Sequence, residues 1–147
     1  MNILILCKAN YCRSPVCEKI LDSLLDDSYI VSSRGIIEYT SPSMHQESID
    51  FLDSKGYNNL FHNPKKVAYS ELNTADIIFC LDHEVAGHIR KNFYNFFNKI
   101  KLYNFLDISI SNHDPINFDK KDYLQIMNNL EKCSLLIYKW LKDDHVH

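Results

Sequence analysis

A thiol and a guanidinium lie six residues apart near the start of the chain. Residues 7–15 read CKANYCRSP and follow the apolar run ILIL. A loop between a strand and a helix N-terminus gathers backbone N–H groups around an anion, and such a field favours the nucleophilic thiolate of a cysteine. Arg13 adds a planar pair of donors that suits phosphate oxygens. The spacing therefore predicts a loop that holds a tetrahedral oxyanion, with Cys7 aimed at its central atom.

Two further loop residues have chemistry that supports this interpretation. Ser14 can donate its hydroxyl to the Cys7 sulfur, and Ser14-Pro15 also reads as a helix start with Ser14 as the N-cap. Asn10 tolerates the left-handed backbone that a tight loop requires. Taken alone, Cys7 would be interpreted as a buried and inert thiol, because free cysteine is often buried. The combination with Arg13 and Ser14 favours the nucleophile.

The elements that position this loop follow from apolar patterning. Strands are predicted at residues 1–6, 29–33, 74–80 and 100–103, and helices after Pro15, within 42–55, near 82–92 and at 118–140. Alternation of strands and helices predicts a parallel sheet that is covered on both faces. Ligands of such sheets bind beyond the carboxyl ends of the strands, which is where the loop that starts at Cys7 lies.

Composition limits the classes of function. A chain of 147 residues, 46% hydrophobic and 24% charged, predicts one globular domain over residues 1–147. The net charge of −3 argues against nucleic acid as a partner. The first apolar run is too short to insert in a membrane and lacks the features of a signal peptide. Five cysteines, an odd number, read as reduced thiols and favour a cytoplasmic location. The seven histidines show no metal-ligand spacing, so no metal is expected.

The segment CKANYCRSP resembles the C-x-G-N-x-C-R-S-P loop of the low-molecular-weight protein tyrosine phosphatases. The resemblance extends over nearly the whole chain. Residues 32–35 are similar to the family's Ser-x-Gly segment, and residues 55–57 with His62 to its Gly-Tyr…His stretch. Residues 75–82 are similar to its Ala-Asp-x-Ile-x-x-Met-Asp strand, and Asp114-Pro115 to the Asp-Pro pair that carries the general acid.

The resemblance implies a fold and a mechanism. The fold is a three-layer α/β/α sandwich with a central four-stranded parallel sheet of strand order 2-1-3-4 and the phosphatase loop after the first strand. Cys7 attacks phosphorus while Asp114 protonates the leaving phenolate, and water then hydrolyses the cysteinyl phosphate with Asp114 as base. Arg13 stabilises the transferring group. The resemblance implies no cofactor.

The resemblance also assigns residues around this centre. Phosphate binding and loop support fall to Lys8, Ala9, Asn10, Tyr11, Cys12, Ser14, Ser33 and His62. The substrate wall is expected at Tyr11, Tyr39 and Phe118, because Ile116-Asn117 stand where family members usually have tyrosines. Cys12 is expected to form a reversible disulfide with Cys7, which would make the enzyme redox-sensitive. The three other cysteines, at positions 17, 80 and 133, are expected in the core.

The leading hypothesis is a phosphatase that acts on phosphotyrosine-bearing proteins. The resemblance suggests a tyrosine autokinase of polysaccharide export as the opposing partner. One alternative is an arsenate reductase of the same fold, which would need a close pair of further cysteines, whereas the only cysteine beyond Cys80 is Cys133. Another is a non-catalytic binder of oxyanions or phosphotyrosine, for which Ala9 and Ile116 would be the signs.

Overall fold

A central parallel sheet carries the loop. The computed structural model describes residues 1–102 and 115–143. Its strands are β1 (Asn2–Cys7), β2 (Ile30–Gly35), β3 (Ile77–Cys80) and β4 (Ile100–Leu102). Its helices are α1 (Ser14–Leu24), α2 (Gln46–Ser54), α3 (Tyr69–Thr74), α4 (His83–Asn92) and α5 (Lys120–Lys142), and a 3₁₀ helix covers Tyr94–Lys99. The four strands pair in parallel in the order β2-β1-β3-β4. The predicted fold class and strand order are confirmed.

The alternation of side chains along β1 builds a core on each face of the sheet. Ile3, Ile5 and Cys7 point to the face that α1, α2 and α5 cover. Leu4 and Leu6 point to the face that α3 and α4 cover. Because successive strand side chains point to opposite faces, an uninterrupted apolar run is what a strand buried on both sides needs. The nucleophile candidate thus stands at the end of a strand whose last five residues are all buried.

The long helix α5 packs on the same face as the loop. The apolar stripe predicted for residues 118–140 is observed, with the helix displaced slightly to Lys120–Lys142. Its N-cap is Asp119, whose carboxylate accepts a hydrogen bond from the Asp122 N–H at 2.9 Å. Its apolar face packs against α1 and α2. Within the described residues, no helix combines the length and the apolar character needed to cross a membrane.

The predicted start of α1 is wrong by one residue. Arg13 is the N-cap, and Ser14 already has helical geometry within Ser14–Leu24. The Ser14 hydroxyl does not cap the helix but lies 3.0 Å from the Cys7 sulfur. Because the Ser14 hydroxyl points toward the Cys7 sulfur, it cannot also bond to the N–H groups of the first helical turn, and Ser14 does not cap the helix.

The sequence analysis did not predict two short elements, helix α3 and the 3₁₀ helix Tyr94–Lys99. Helix α3 overlaps the predicted strand 74–80 at Thr74 alone, and β3 begins only at Ile77. The aromatic residues around Phe96 lie in the 3₁₀ helix Tyr94–Lys99, which is only partly buried. Side chains three residues apart share a face in such a helix. Phe96 is therefore buried, while Tyr94 and Phe97 stack on each other in solvent.

Candidate active site

The Cys7 sulfur lies at the carboxyl end of β1 and is held by donors from its own loop. The Asn10 N–H donates to it at 3.2 Å, and the Ser14 hydroxyl lies 3.0 Å away. Asn10 has a φ of 57°, the left-handed conformation that the sequence predicted for it. The turn that this φ permits brings the Asn10 amide back onto the sulfur.

The direction of the Ser14 hydrogen bond follows from counting protons. Asn10 Nδ2 has two N–H groups, which donate to Ser14 Oγ at 2.8 Å and to Ser33 Oγ at 3.0 Å. Ser14 Oγ is therefore an acceptor toward Asn10, and its own proton is available for the Cys7 sulfur. Ser33 in turn donates to Glu18 Oε1 at 3.1 Å. This buried chain runs from Glu18 to the sulfur and gives every proton a partner.

Three consecutive carbonyls of the loop are held from outside it. The carbonyl oxygens of Asn10, Tyr11 and Cys12 contact His62 Nε2 (3.0 Å), the His45 N–H (3.0 Å) and Ser48 Oγ (2.9 Å), respectively. The described residues contain no cis peptide bond, and a trans peptide points its N–H opposite to its C=O. The N–H groups of residues 11–13 are therefore turned away from these outer partners. Such a run of amides facing one side forms an anion site.

Gly35 allows the loop to pack closely on β2. A Cβ at this position would lie 2.8 Å from both the Ala9 carbonyl carbon and the Lys8 carbonyl oxygen, which is closer than real Cβ contacts. The Lys8 carbonyl also accepts from the N–H groups of Ile36 and Ile37 at 2.8 and 3.1 Å. Because a side chain at position 35 would collide with the backbone of Lys8 and Ala9, the Ser-x-Gly segment needs a glycine here.

Asp82 is a site residue that the sequence analysis did not single out. Its Oδ2 accepts from Arg13 Nη1 at 2.7 Å, and its Oδ1 accepts from the Val85 N–H at 2.8 Å as the N-cap of α4. Arg13 is buried, with 1% of its surface exposed. Asp82 follows β3, which pairs with β1. Its position at the same sheet edge as the loop was the available signal.

His62 braces the loop from outside the sheet. Burial lowers the pKa of His62, so the neutral ring is favoured. Because a carbonyl can only accept, Nε2 carries the proton that bonds the Asn10 carbonyl. On the other side of Asn10, its Oδ1 accepts from the Lys65 N–H at 3.0 Å. The residue at the left-handed position is thus fixed by contacts at its carbonyl, its amide oxygen and its amide nitrogen.

Aromatic rings form one side of the site mouth. The rings of Tyr11 and Tyr39 lie with centroids 4.6 Å apart, and the Tyr11 ring meets His45 edge-on at 5.3 Å. Burial and the neighbouring Tyr39 raise the pKa of Tyr11. Two of the three predicted wall residues are thus brought together. The third, Phe118, is exposed, and its place on the wall stays a prediction.

A small cavity beside the sulfur adds one residue to the site. It is lined by Cys7, Ala9, Tyr11, Cys12, Arg13 and Ile116. Ile116, the residue that stands in place of the usual tyrosine, contributes an aliphatic side chain to the lining of this cavity. The general-acid candidate Asp114 lies outside the described residues. Its neighbour Pro115 is described and buried.

The remaining predicted residues fall into two groups. Lys8 is a loop residue whose Nζ lies 4.0 Å from Glu84 at the surface. The three cysteines expected in the core are confirmed there, since each is completely buried. Burial raises the pKa of Cys17 and of Cys80 to about 12 and also raises that of Cys133, so these thiols stay protonated. Among the described residues, no three histidine, cysteine or acidic side chains group in a way that could hold a metal ion.

The sequence was compared with protein families and with known proteins. The sequence model of the family described as Low molecular weight phosphotyrosine protein phosphatase matches residues 2–146. This chain belongs to that family. Members of the low molecular weight phosphotyrosine protein phosphatase family are phosphoric monoester hydrolases that use a cysteine nucleophile. No curated protein matches the chain.

Several solved structures share the fold of this phosphatase. The tyrosine phosphatase Wzb from Escherichia coli K30, in complex with sulphate, is 21% identical with a TM-score of 0.86, over 95% of this chain and 97% of its own. The YwlE arginine phosphatase from Geobacillus stearothermophilus is 19% identical with a TM-score of 0.87, over 96% and 92%. The low molecular weight phosphotyrosine phosphatase VcLMWPTP-2 from Vibrio cholerae is 18% identical with a TM-score of 0.88, over 99% of both chains. Because these sequence identities are low, the similarity shows only that the fold is shared.

Proposed function

We propose that this phosphatase hydrolyses phosphotyrosine in protein substrates with Cys7 as the nucleophile and Arg13 as the main ligand of the phosphoryl oxygens. One observation supports the proposal: the carbonyls of residues 10–12 bond to partners outside the loop, which turns the N–H groups of residues 11–13 away from those partners. The Cys7 sulfur lies in the same loop and accepts from the Asn10 N–H. Nucleophile and oxyanion donors thus belong to one rigid segment.

The reaction divides into two displacements. The Cys7 thiolate attacks phosphorus, the bond from phosphorus to the tyrosine oxygen breaks, and the leaving phenolate takes a proton from Asp114. Water then attacks the cysteinyl phosphate and gives a proton to Asp114, and phosphate leaves as Cys7 regains its electron pair. The Ser14 hydroxyl, whose proton faces the sulfur, stabilises that returning charge. The role of Asp114 rests on the resemblance of Asp114-Pro115 to the family pair.

The aromatic rings at the mouth favour an aryl phosphate. Tyr11 and Tyr39 can stack on a flat phenyl ring, while Ile116 supplies an apolar contact. Phe118, exposed two residues later, would extend this wall. Among the structures that share the fold, one is an arginine phosphatase and another is a tyrosine phosphatase. The wall is the feature that favours phosphotyrosine over phosphoarginine here.

The physiological substrate would be a protein that a tyrosine kinase has phosphorylated. A tyrosine autokinase is the partner that family resemblance suggests, and the tyrosine phosphatase Wzb shares the fold. Both the kinase product and the reduced thiol that the mechanism needs would be found in the cytoplasm.

Hydrolysis of a phosphotyrosine peptide and of a phosphoarginine peptide by the purified protein tests the proposal. We expect release of phosphate from the phosphotyrosine peptide, with activity lost in Cys7→Ser and retained in Cys133→Ala, whose thiol lies in the core. Hydrolysis of phosphoarginine in preference would overturn the substrate. Activity that survives in Cys7→Ser would overturn the nucleophile, and phosphate binding without turnover would identify a non-catalytic binder.

Arsenate reduction is not favoured. A thiol relay requires accessible cysteines that can reach Cys7 in turn. Cys80 and Cys133 are completely buried, and burial raises the pKa of both. They therefore lack the exposed thiolate character that relay cysteines need.

A further inference from the structure

Two hydroxyl groups from different helices meet behind the phosphate loop. Ser48 lies on α2 and Tyr123 on α5, and both side chains are buried. Ser48 Oγ donates to the Cys12 carbonyl at 2.9 Å and lies 2.5 Å from the Tyr123 hydroxyl. The Tyr123 hydroxyl is also hydrogen-bonded to the Cys12 thiol. The two hydroxyl groups thus both contact Cys12, one at its carbonyl and the other at its thiol.

The proton directions around this cluster follow from its acceptors. The Cys12 carbonyl can only accept, so the single Ser48 proton is committed to it. Met127 Sδ, 3.6 Å from Ser48 Oγ, is the weaker acceptor. The short contact between Ser48 and Tyr123 therefore needs the Tyr123 proton. The hydrogen bond between the Tyr123 hydroxyl and the Cys12 thiol completes the circuit. We call this closed circuit, from the Cys12 thiol through Tyr123 and Ser48 to the Cys12 carbonyl, the Cys12 ring.

The Cys12 ring acts on the peptide that joins Cys12 to Arg13. Because this peptide is trans, a carbonyl drawn toward Ser48 turns the Arg13 N–H to the opposite side. That N–H is one of the amides that the proposed function assigns to the oxyanion site. The thiol end of the ring fixes the Cys12 side chain as well, so that the residue before Arg13 is held at two points.

Packing alone does not require these hydroxyls. An alanine and a phenylalanine at positions 48 and 123 would fill nearly the same volume between α2 and α5 without burying polar groups. Burial of a hydroxyl costs free energy unless it is hydrogen-bonded, and here every bond of the cluster leads to Cys12 or to the other hydroxyl, apart from the weak Met127 contact. The polar groups therefore serve the loop rather than the contact between helices.

We propose that Ser48 and Tyr123 are positioning residues of the phosphate loop, which act through Cys12 to orient the Arg13 amide toward the oxyanion. The inference rests on the proposed function of the loop as an oxyanion site. It adds two residues, remote in sequence from the loop, to the group that sets affinity for the phosphoryl oxygens.

The test compares Ser48→Ala, Tyr123→Phe and the double variant with wild type. Two quantities are measured: the dissociation constant for inorganic phosphate by calorimetry, and kcat and KM for p-nitrophenyl phosphate. We expect each single variant to weaken phosphate binding and to lower kcat/KM about five-fold or more, as for the loss of one buried hydrogen bond. The double variant should be little worse than the poorer single variant, because both changes open the same ring.

Tyr57→Phe is the matched control. Its hydroxyl donates at 3.0 Å to Glu131, a residue of α5. The change therefore also removes a partly buried tyrosine hydroxyl that bonds to that helix, but it leaves the contacts of Cys12 in place. We expect its phosphate affinity to equal that of wild type. Should Tyr123→Phe fail to fold, Ser48→Ala carries the comparison with Tyr57→Phe.

The outcomes separate the inference from the proposed function. Folded Ser48→Ala and Tyr123→Phe proteins with wild-type phosphate affinity and kcat, and only a lower melting temperature, would show the ring to be structural and overturn the inference. Losses that add up fully in the double variant would also overturn it. A wild-type protein that binds phosphate but hydrolyses no aryl phosphate would overturn the proposed function, while weaker phosphate binding in the variants would still support the ring.

Discussion

Arg13 donates from Nη1 to Oδ2 of Asp82 at 2.7 Å, and the same carboxylate caps α4 through its other oxygen. The side chain of Arg13 is only 2% exposed, against 26% for that of Asp82. A buried guanidinium without a partner is costly, so Asp82 fixes the guanidinium that the proposed function assigns to the phosphoryl oxygens. Asp82 thus links the loop that follows β1 to the helix that follows β3.

Replacement of Asp82 should separate its two contacts. Asp82→Asn keeps an oxygen for the Val85 N–H but removes the charge that faces Arg13, whereas Asp82→Ala removes both contacts. We expect Asp82→Asn to destabilise the fold by about 1–3 kcal/mol, and Asp82→Ala by about 1 kcal/mol more, the value of a helix cap. Urea unfolding measures both, and equal stability of the two variants would contradict the double role.

Loss of the Asn10 side chain should lower activity through the loop and not only through backbone strain. Asn10 has a φ of 57° and donates to Ser14 and Ser33. Asn10→Gly keeps the conformation but loses the hydrogen bonds, so we expect kcat/KM for an aryl phosphate to fall at least ten-fold, since two or more buried bonds are lost. Asn10→Ala should be similarly inactive and less stable by a further 1 kcal/mol or so.

Asn59 provides the control for backbone strain. It is exposed and has a φ of 60°, so Asn59→Ala should show the same cost of left-handed backbone without a change in kcat/KM. Wild-type activity in Asn10→Gly would show that the side-chain network has no part in catalysis.

Much of the fold could be predicted because it depends on local patterning. The apolar run of β1 and the stripe of α5 are periodic over enough residues to fix their type, and the loop that starts at Cys7 lies where the alternation of elements places it. Helix α3 escaped prediction because its six residues bury only Leu72, which leaves no period to recognise. For the aromatic residues near Phe96, hydrophobicity alone does not say which face of the 3₁₀ helix turns inward.

The site was predictable to the extent that it is one contiguous loop. Asp82, Ser48 and Tyr123 reach that loop only through the pairing of strands and the packing of helices, and no spacing in the sequence shows such contacts. Tyr123 lies on the buried apolar face of α5, and its aromatic side chain fits the apolar pattern of that helix. Its hydroxyl group contacts the loop, and a pattern of apolar residues gives no information about a single polar atom.

Gly35→Ala should disrupt the phosphate loop. The new Cβ would meet the backbone of Lys8 and Ala9 at 2.8 Å, and backbone cannot move aside as a flexible side chain can. We expect a loss of about 1–3 kcal/mol in stability, as for overpacking, and a fall in phosphate affinity, measured by urea unfolding and calorimetry. Gly87→Ala is the control, since a Cβ there meets nothing within 4 Å and should stabilise α4 by up to about 1 kcal/mol. If both variants match wild type, the loop does not depend on close packing against β2.

His62 should make stability depend on pH. Burial lowers its pKa below the ordinary value of 6.5 in the folded state, so the unfolded chain binds a proton more readily. Stability that is present above about pH 6.5 is therefore lost as the pH falls through the lowered folded pKa. We expect the free energy of unfolding from urea titrations to decline over that range in wild type, and to decline less in His62→Asn, which has no titrating ring to protonate. Parallel curves for His62→Asn and wild type would mean that the proton taken up on unfolding belongs to another group.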